Sequence, residues 1–412
     1  MAELNLRDIE RVSIDKPVLI YGLIFSIIFS YILFTSVGDR HLFVFLIGLG
    51  LGISLFQAAF GFTGGWRNFI EKRDSKSLRA QIIMLALAVI IFSFFINSKS
   101  IFYDGIMIGA IAPVGFSVLV GSFIFGFAMQ LGGGCGSGTL FTAGSGNIKM
   151  VITLIFFIIG SLIGSYHFEF WANLPSVNGI SLLNIFSKIN TILIQLFALG
   201  LIYFMISKME INRNNSINHK DIISNPTHDL IRGPWPLLWG SVSLVIFSFL
   251  MLQVAGHPWS VTFAFGLWGA KIASFLGIDV TSWAYWQLEY PSTALENSVL
   301  ADPTTVSNIG IILGALIGSA LSGKITKFTS VNRKLVAAAI IGGLLMGYGA
   351  RLAFGCNIGA LFGGIASGSL HGWVWFLFAV RGNAIFPFPH LLFPEVLFQP
   401  GETLKPHTMF LA

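Results

Sequence analysis

Acidic residues are scarce in this chain, and so is charge of either sign. Asp and Glu together number 18 of 412 residues, and charged residues make up 10% of the sequence. A soluble domain carries about 25%, so composition alone argues against a water-soluble enzyme. Cysteine is rarer still: Cys135 and Cys356 are the full set. No CxxC pair, HExxH or Cys/His cluster is present, which leaves a metal site without ligands. No GxxxxGK[ST] stretch occurs, so the chain carries no P-loop with which to hydrolyse ATP. Inside the apolar runs there is no acidic series to relay protons. The net charge of +6 does not point to nucleic acid, because the basic residues sit in short loops between those runs.

What the sequence has in quantity is apolar length. Hydrophobic residues reach 55% and mean hydropathy is +0.80. Many windows contain the roughly 18 apolar residues needed to cross a bilayer. The expected fold is an all-α polytopic membrane protein, with spans near 17–37, 42–64, 79–97, 106–130, 150–167, 189–207, 235–255, 305–323, 335–355 and 372–388. The first is too long for a cleaved signal and lacks a small-residue cleavage site, so it reads as a retained helix. Arg67, Lys72, Arg73, Lys76 and Arg79 crowd one loop; Lys208, Arg213, Lys220 and Arg232 mark the longest polar stretch; Lys324, Lys327, Arg333 and Lys334 fill a third loop. These three belong on the cytoplasmic side, with the N-terminus, by the positive-inside rule. Asp279, Glu289, Glu296 and Asp302 then lie opposite. The parity closes only if segments 135–146, 259–278 and 356–367 enter and leave from one side, which irregular backbone can do where protein or a wet cavity buries it.

The two cysteines sit in stretches of one design, GFAMQLGGGCGSGTLF (Gly126–Phe141) and GYGARLAFGCNIGALF (Gly347–Phe362). Superposing them aligns Gly126 with Gly347, Leu131 with Leu352, Gly134 with Gly355 and Gly138 with Gly359. A broken, glycine-rich segment repeated in the two halves of a polytopic chain points to a transporter's substrate site. Gly134, Gly136 and Gly355 let backbone N–H groups approach a ligand; short helices starting just after each cysteine would aim their dipoles at an anion. Ser137, Thr139 and Asn357 offer further donors, and a thiol is a soft neighbour suited to a sulfur- or selenium-containing ligand. The competing reading of the glycines is close packing of helices. A degenerate third copy has Gly52, Gly61 and Gly64 at the same spacing, with glycine at the cysteine position, followed by Thr63 and Arg67. Lys271 and Arg351 fall inside apolar segments, where a charge is a functional candidate by default. His371 reads as interfacial. The two halves, 42–207 and 233–412, read as inverted repeats joined by a cytoplasmic linker, 208–232, after an extra N-terminal helix in 1–41.

FGFTGGWRNF (Phe60–Phe69), GFAMQLGGGCGSGT with AGSGN (Gly126–Asn147), GHPWSVTFAFGLWGAK (Gly256–Lys271) and the run Gly342–Trp375 together resemble the YeeE/YedE family of sulfur-transport membrane proteins. The resemblance implies an hourglass pathway between inverted repeats in a bacterial inner membrane. It also implies uptake of a small sulfur oxyanion, thiosulfate first among them, past cysteines that hydrogen-bond it. That role falls on Cys135 and Cys356. At Gly61 the chain departs from members with three functional cysteines, and Thr142 and Ser145 replace the usual Arg and Glu. The resemblance implies no cofactor and one partner, a small cytoplasmic sulfur carrier of the TusA type, besides membrane lipid. Other readings of the residues are transport of a selenium compound or another sulfur anion, a membrane thiol or persulfide enzyme, and a scaffold for a sulfur carrier.

Overall fold

The computed structural model describes residues 14–214, 222, 229–326 and 332–385. It is a helical bundle, and among the described residues the only strands form a two-residue pair, Val114–Gly115 against Ser176–Val177. The expected positions Lys220 and Lys327, the centre of the linker and the end of the last span lie outside the described residues.

Fourteen helices carry the architecture used below. The first seven are α1 (Lys16–Ser36), α2 (Asp39–Gln57), α3 (Phe62–Lys72), α4 (Lys76–Phe95), α5 (Phe116–Gly132), α6 (Gly136–Gly144) and α7 (Ile148–Tyr166). After α8 (Lys188–Asn214) come α9 (Leu237–Ala255), α10 (Thr262–Phe275), α11 (Pro303–Leu321) and α12 (Arg333–Leu352). A wide π-helical turn, Asn357–Phe362, then runs into α13 (Gly363–Ala366), and α14 is Leu370–Ala384. Nine segments among the described residues are long and apolar enough to cross a membrane. Their starts are set locally: Asp15, Asn147 and Asp302 cap α1, α7 and α11 by accepting from Val18, Met150 and Thr305 N–H groups, the usual work of Asp and Asn at a helix start.

Two expected spans are different in form. The run 42–64 is broken into α2 and α3, because Ala59 turns left-handed (φ 46°) and Gly61 is extended. The run 106–130 becomes helical only at Phe116, after an irregular stretch ending in Val114–Gly115. Four helices therefore end in a break followed by a shorter helix or turn: α2, α5, α9 and α12. Each break contains a residue of positive φ: Ala59, Gly133 and Gly256 in the first three, and both Phe354 and Gly355 in the last.

Helices of the two halves pack through small residues that let backbones touch. A Cβ added at Gly52 would lie 2.2 Å from the Ile311 carbonyl, at Gly126 2.0 Å from that of Ala379, and at Gly347 2.2 Å from that of Phe157. For the leading glycine of each repeated motif, then, packing is the role. α5 and α12 lie antiparallel, with Gly121 on Gly349 and Gly132 on Gly342. α2 and α9 do the same: Arg40 donates to the Val254 and Ala255 carbonyls, while Ala58 meets Gly240 at the other end. Arg79, expected in a basic loop, is instead buried in the first turn of α4, 3.7 Å from Glu210 of α8. A guanidinium removed from water needs such a partner.

Candidate substrate pathway around the paired cysteines

Each cysteine caps the segment that follows it. Cys135 is extended (φ −82°, ψ −170°), and its Sγ accepts from the Gly138 N–H at 3.4 Å with Ser137 Oγ at 3.5 Å. Cys356 has nearly the same backbone (φ −104°, ψ −164°), and its Sγ accepts from the Ile358 N–H at 3.5 Å. Both are free thiols, 1% and 0% exposed. After Cys356 the backbone widens: its carbonyl accepts from both Ala360 (2.9 Å) and Leu361 (3.3 Å). Such π turns are frequent at functional sites.

The helix starts converge. A Cβ at Gly136 would come within 2.9 Å of Cys356 Sγ and 3.4 Å of Thr262, the first residue of α10. Gly359 faces Ser260 Oγ at 3.2 Å from its own Cβ position. The first residue of α3, Phe62, has its backbone beside the Cys135 sulfur. The first N–H groups and the positive dipole ends of α3, α6 and α10 thus gather around two thiols, an arrangement that favours an anion.

A cavity of about 130 Å³ opens beside Cys135. Gly61, Thr63, Arg67, Gly134, Cys135 and Lys149 are among its lining residues. Arg67 Nε donates to Gln130 Oε1 at 2.9 Å; Gln130 in turn donates to the Thr63 carbonyl at 3.1 Å and to Asn383 Oδ1. At Gly61 an added Cβ would meet nothing within 4 Å. Asn357 is fully buried, and neither its Oδ1 nor its Nδ2 has a hydrogen-bond partner among the described residues; the Thr63 hydroxyl is in the same state. Buried polar groups left so are costly, which marks both as candidate ligand contacts.

Other expected site residues fall elsewhere. Thr139 donates its hydroxyl to the Cys135 carbonyl at 2.8 Å, so that hydrogen holds the turn. Arg351 lies towards the acidic end: its guanidinium is 4.4 Å over the Tyr285 ring, bonds the Tyr285 hydroxyl, and donates to Ser161 Oγ at 2.9 Å. Lys271 is not brought to the thiols. Its Nζ donates to the Leu295 and Asn297 carbonyls at the end of the short helix Glu289–Glu296. His371 is buried, 1% exposed, with Nε2 at 2.9 Å from the Ala353 carbonyl. Lys149 and Gln130 were not singled out as contributors. Lys149 gives no signal beyond a basic residue at a span end, whereas Gln130, five residues before Cys135, takes the place that Arg351 holds before Cys356 in the superposed motifs. Among the described residues no group of three or more His, Cys, Asp or Glu side chains could hold a metal ion.

Comparison with known proteins gives the family. Residues 57–385 match the family model described as "Sulphur transport". The chain is 24% identical over 363 residues to "Thiosulfate transporter TsuA" of Spirochaeta thermophila, covering 82% of this chain and 95% of that one. It is 22% identical to the Escherichia coli protein of the same name, over 82% and 91% of the two chains. With "Probable transporter YedE" of Escherichia coli it shares 29% identity over 149 residues, 36% of each chain. The match thus spans about a third of that relative's length. The Salmonella typhimurium protein of that name matches over a similar third. The chain belongs to the sulphur-transport family of YeeE/YedE membrane proteins.

Proposed function

We propose that this protein carries a small sulfur-containing oxyanion, thiosulfate in the first place, across a bacterial inner membrane between two inverted repeats. The observation that carries the reading is the meeting of the thiols. Cys135 lines the cavity, and Cys356 stands directly across Gly136 from it. Helix N-termini and Arg67 serve the anion's oxygens, while the thiols serve as weak donors beside its sulfur. The name shared by the two long relatives supports thiosulfate as the ligand.

The basic end, with Arg67 and Lys149, is the cytoplasmic side in this reading, which also places the N-terminus there. Inward movement of one negative charge against about 100 mV costs roughly 2.3 kcal/mol, and a dianion about twice that. Consumption of the anion by a cytoplasmic sulfur carrier of the TusA type would provide the gradient. The chain is a transporter in this account, not an enzyme.

The test is uptake of labelled thiosulfate by the purified protein in liposomes. Wild type is expected to transport, with Cys135→Ala and Cys356→Ala each strongly reduced. Robust uptake by the double variant would remove the thiols from the mechanism. Turnover of thiosulfate without translocation would instead make the protein a membrane thiol enzyme.

A further inference from the structure

We infer that Arg67 and Arg351 are one functional group supplied twice: a guanidinium that holds the oxygens of a small anion on each side of the cysteine pair, with its carrier helix exchanged between the halves. The inference rests on the transport reading above.

The residue five positions before each cysteine makes the same contact. Gln130 donates to the Thr63 carbonyl at 3.1 Å, and Arg351 Nη2 lies 3.4 Å from the Thr262 carbonyl. Four residues beyond each threonine stands the facing position, Arg67 on α3 and Gly266 on α10. On α3 the arginine reaches across, and its Nε bonds Gln130 at 2.9 Å. On α10 the facing residue is glycine, and Arg351 Nη2 fills the vacated space, 1.9 Å from where a Gly266 Cβ would be. The guanidinium and its neutral neighbour have traded helices while the guanidinium has kept its place. Packing does not require this, since an apolar side chain fills such a volume without the cost of an intramembrane charge.

Both ends also point to a ligand. Arg67 lines the 130 Å³ cavity together with Lys149 and Cys135. Arg351 Nε is buried without a hydrogen-bond partner among the described residues, so a donor remains for an anion. The planar fork of an arginine matches two oxygens of an oxyanion, which divides the labour: guanidinium for oxygen, thiol for sulfur.

The test transplants one half's solution into the other, reading thiosulfate-induced thermal stabilisation of the detergent-purified protein and liposome uptake. Arg67→Gln is expected to lose both, uptake falling about tenfold or more, the scale of one charge-assisted contact. Arg67→Gly with Gln130→Arg, which copies the Gly266–Arg351 pair, is expected to recover them. Unchanged stabilisation and uptake in Arg67→Gln would overturn the inference, as would a folded double variant that recovers neither. If the double variant elutes as aggregate, Arg67→Lys decides: partial retention, between wild type and Arg67→Gln, supports the inference, and a loss equal to that of Arg67→Gln overturns it. The two readings fail separately. Arginine-dependent binding without wild-type uptake would sink transport and leave the stations standing; wild-type uptake indifferent to Arg67 would do the reverse.

Discussion

Gly136→Ala puts a methyl group where Cys356 keeps its sulfur. The added Cβ would lie 2.9 Å from Sγ, 3.4 Å from Thr262 Cγ2 and 3.5 Å from Cys356 Cβ, whereas ordinary non-bonded contacts between heavy atoms settle at about 3.5–4.0 Å. The site has little freedom to relax, since Gly136 begins α6 and Cys356 begins the π turn. Overpacking of this kind costs about 1–3 kcal/mol. Cys356→Ala alone removes one buried heavy atom, at a cost of about 1 kcal/mol. Combining the two removes the clashing sulfur, so the pair should be less destabilised than the sum, with a coupling of about 1–2 kcal/mol. Thermal unfolding in detergent would show Gly136→Ala lower by a few degrees, on the order of 2–4 °C per kcal/mol. The double variant would regain much of that loss. Additive losses would refute the contact and with it the meeting of the thiols.

Gly61→Cys should fold with a stability change within about 0.5 kcal/mol, because nothing lies within 4 Å of its Cβ and its backbone is extended; a large drop in unfolding temperature would contradict the open space seen there. Arg79→Ala should cost about 3–5 kcal/mol by leaving Glu210 buried without its counter-charge, with only the Ser75 hydroxyl among the described residues still donating to it, and Arg79→Met with Glu210→Leu should recover most of it in the same melting assay. Asp302 is raised by burial, against hydrogen bonds from Thr305 and Tyr290 that lower it. A raised folded value makes its contribution fullest below the unfolded value of about 3.9 and weaker as pH rises through the folded one. The stability of wild type relative to Asp302→Asn should therefore fall as pH rises above about 4, and a difference in melting temperature that stays constant as pH rises would contradict the burial.

The cysteine motifs were legible because glycine is dense there and a long relaxed helix cannot carry it cheaply. The break at Ala59–Gly61 was not, because Ala58–Phe62 stays apolar throughout and hydropathy registers composition, not backbone direction. Lys271 shows the opposite limit. Its sequence context is apolar on both sides, yet α10 ends at Phe275, close enough for the ammonium to reach the Leu295 and Asn297 carbonyls beyond. Lys149 had a sufficient explanation as a basic residue at a span end; only the packing of α3, α6 and α7 around one cavity gives it another. Arg79 was misplaced for a related reason, since charge counting cannot distinguish a loop residue from one turned inward towards Glu210.

Gly136 separates the two thiols in a way that gives them an order. Cys135 borders the cavity, while Cys356 stands behind the start of α6. On the proposed pathway, a molecule arriving from the basic end would meet one sulfur before the other, the second lying past a residue that has no side chain. The superposed motifs place Asn357, fully buried, at the position that corresponds to Gly136. If the proposed pathway is the route, the duplicated segments are a front and a back door with different sills, and traffic in the two directions would encounter different chemistry first.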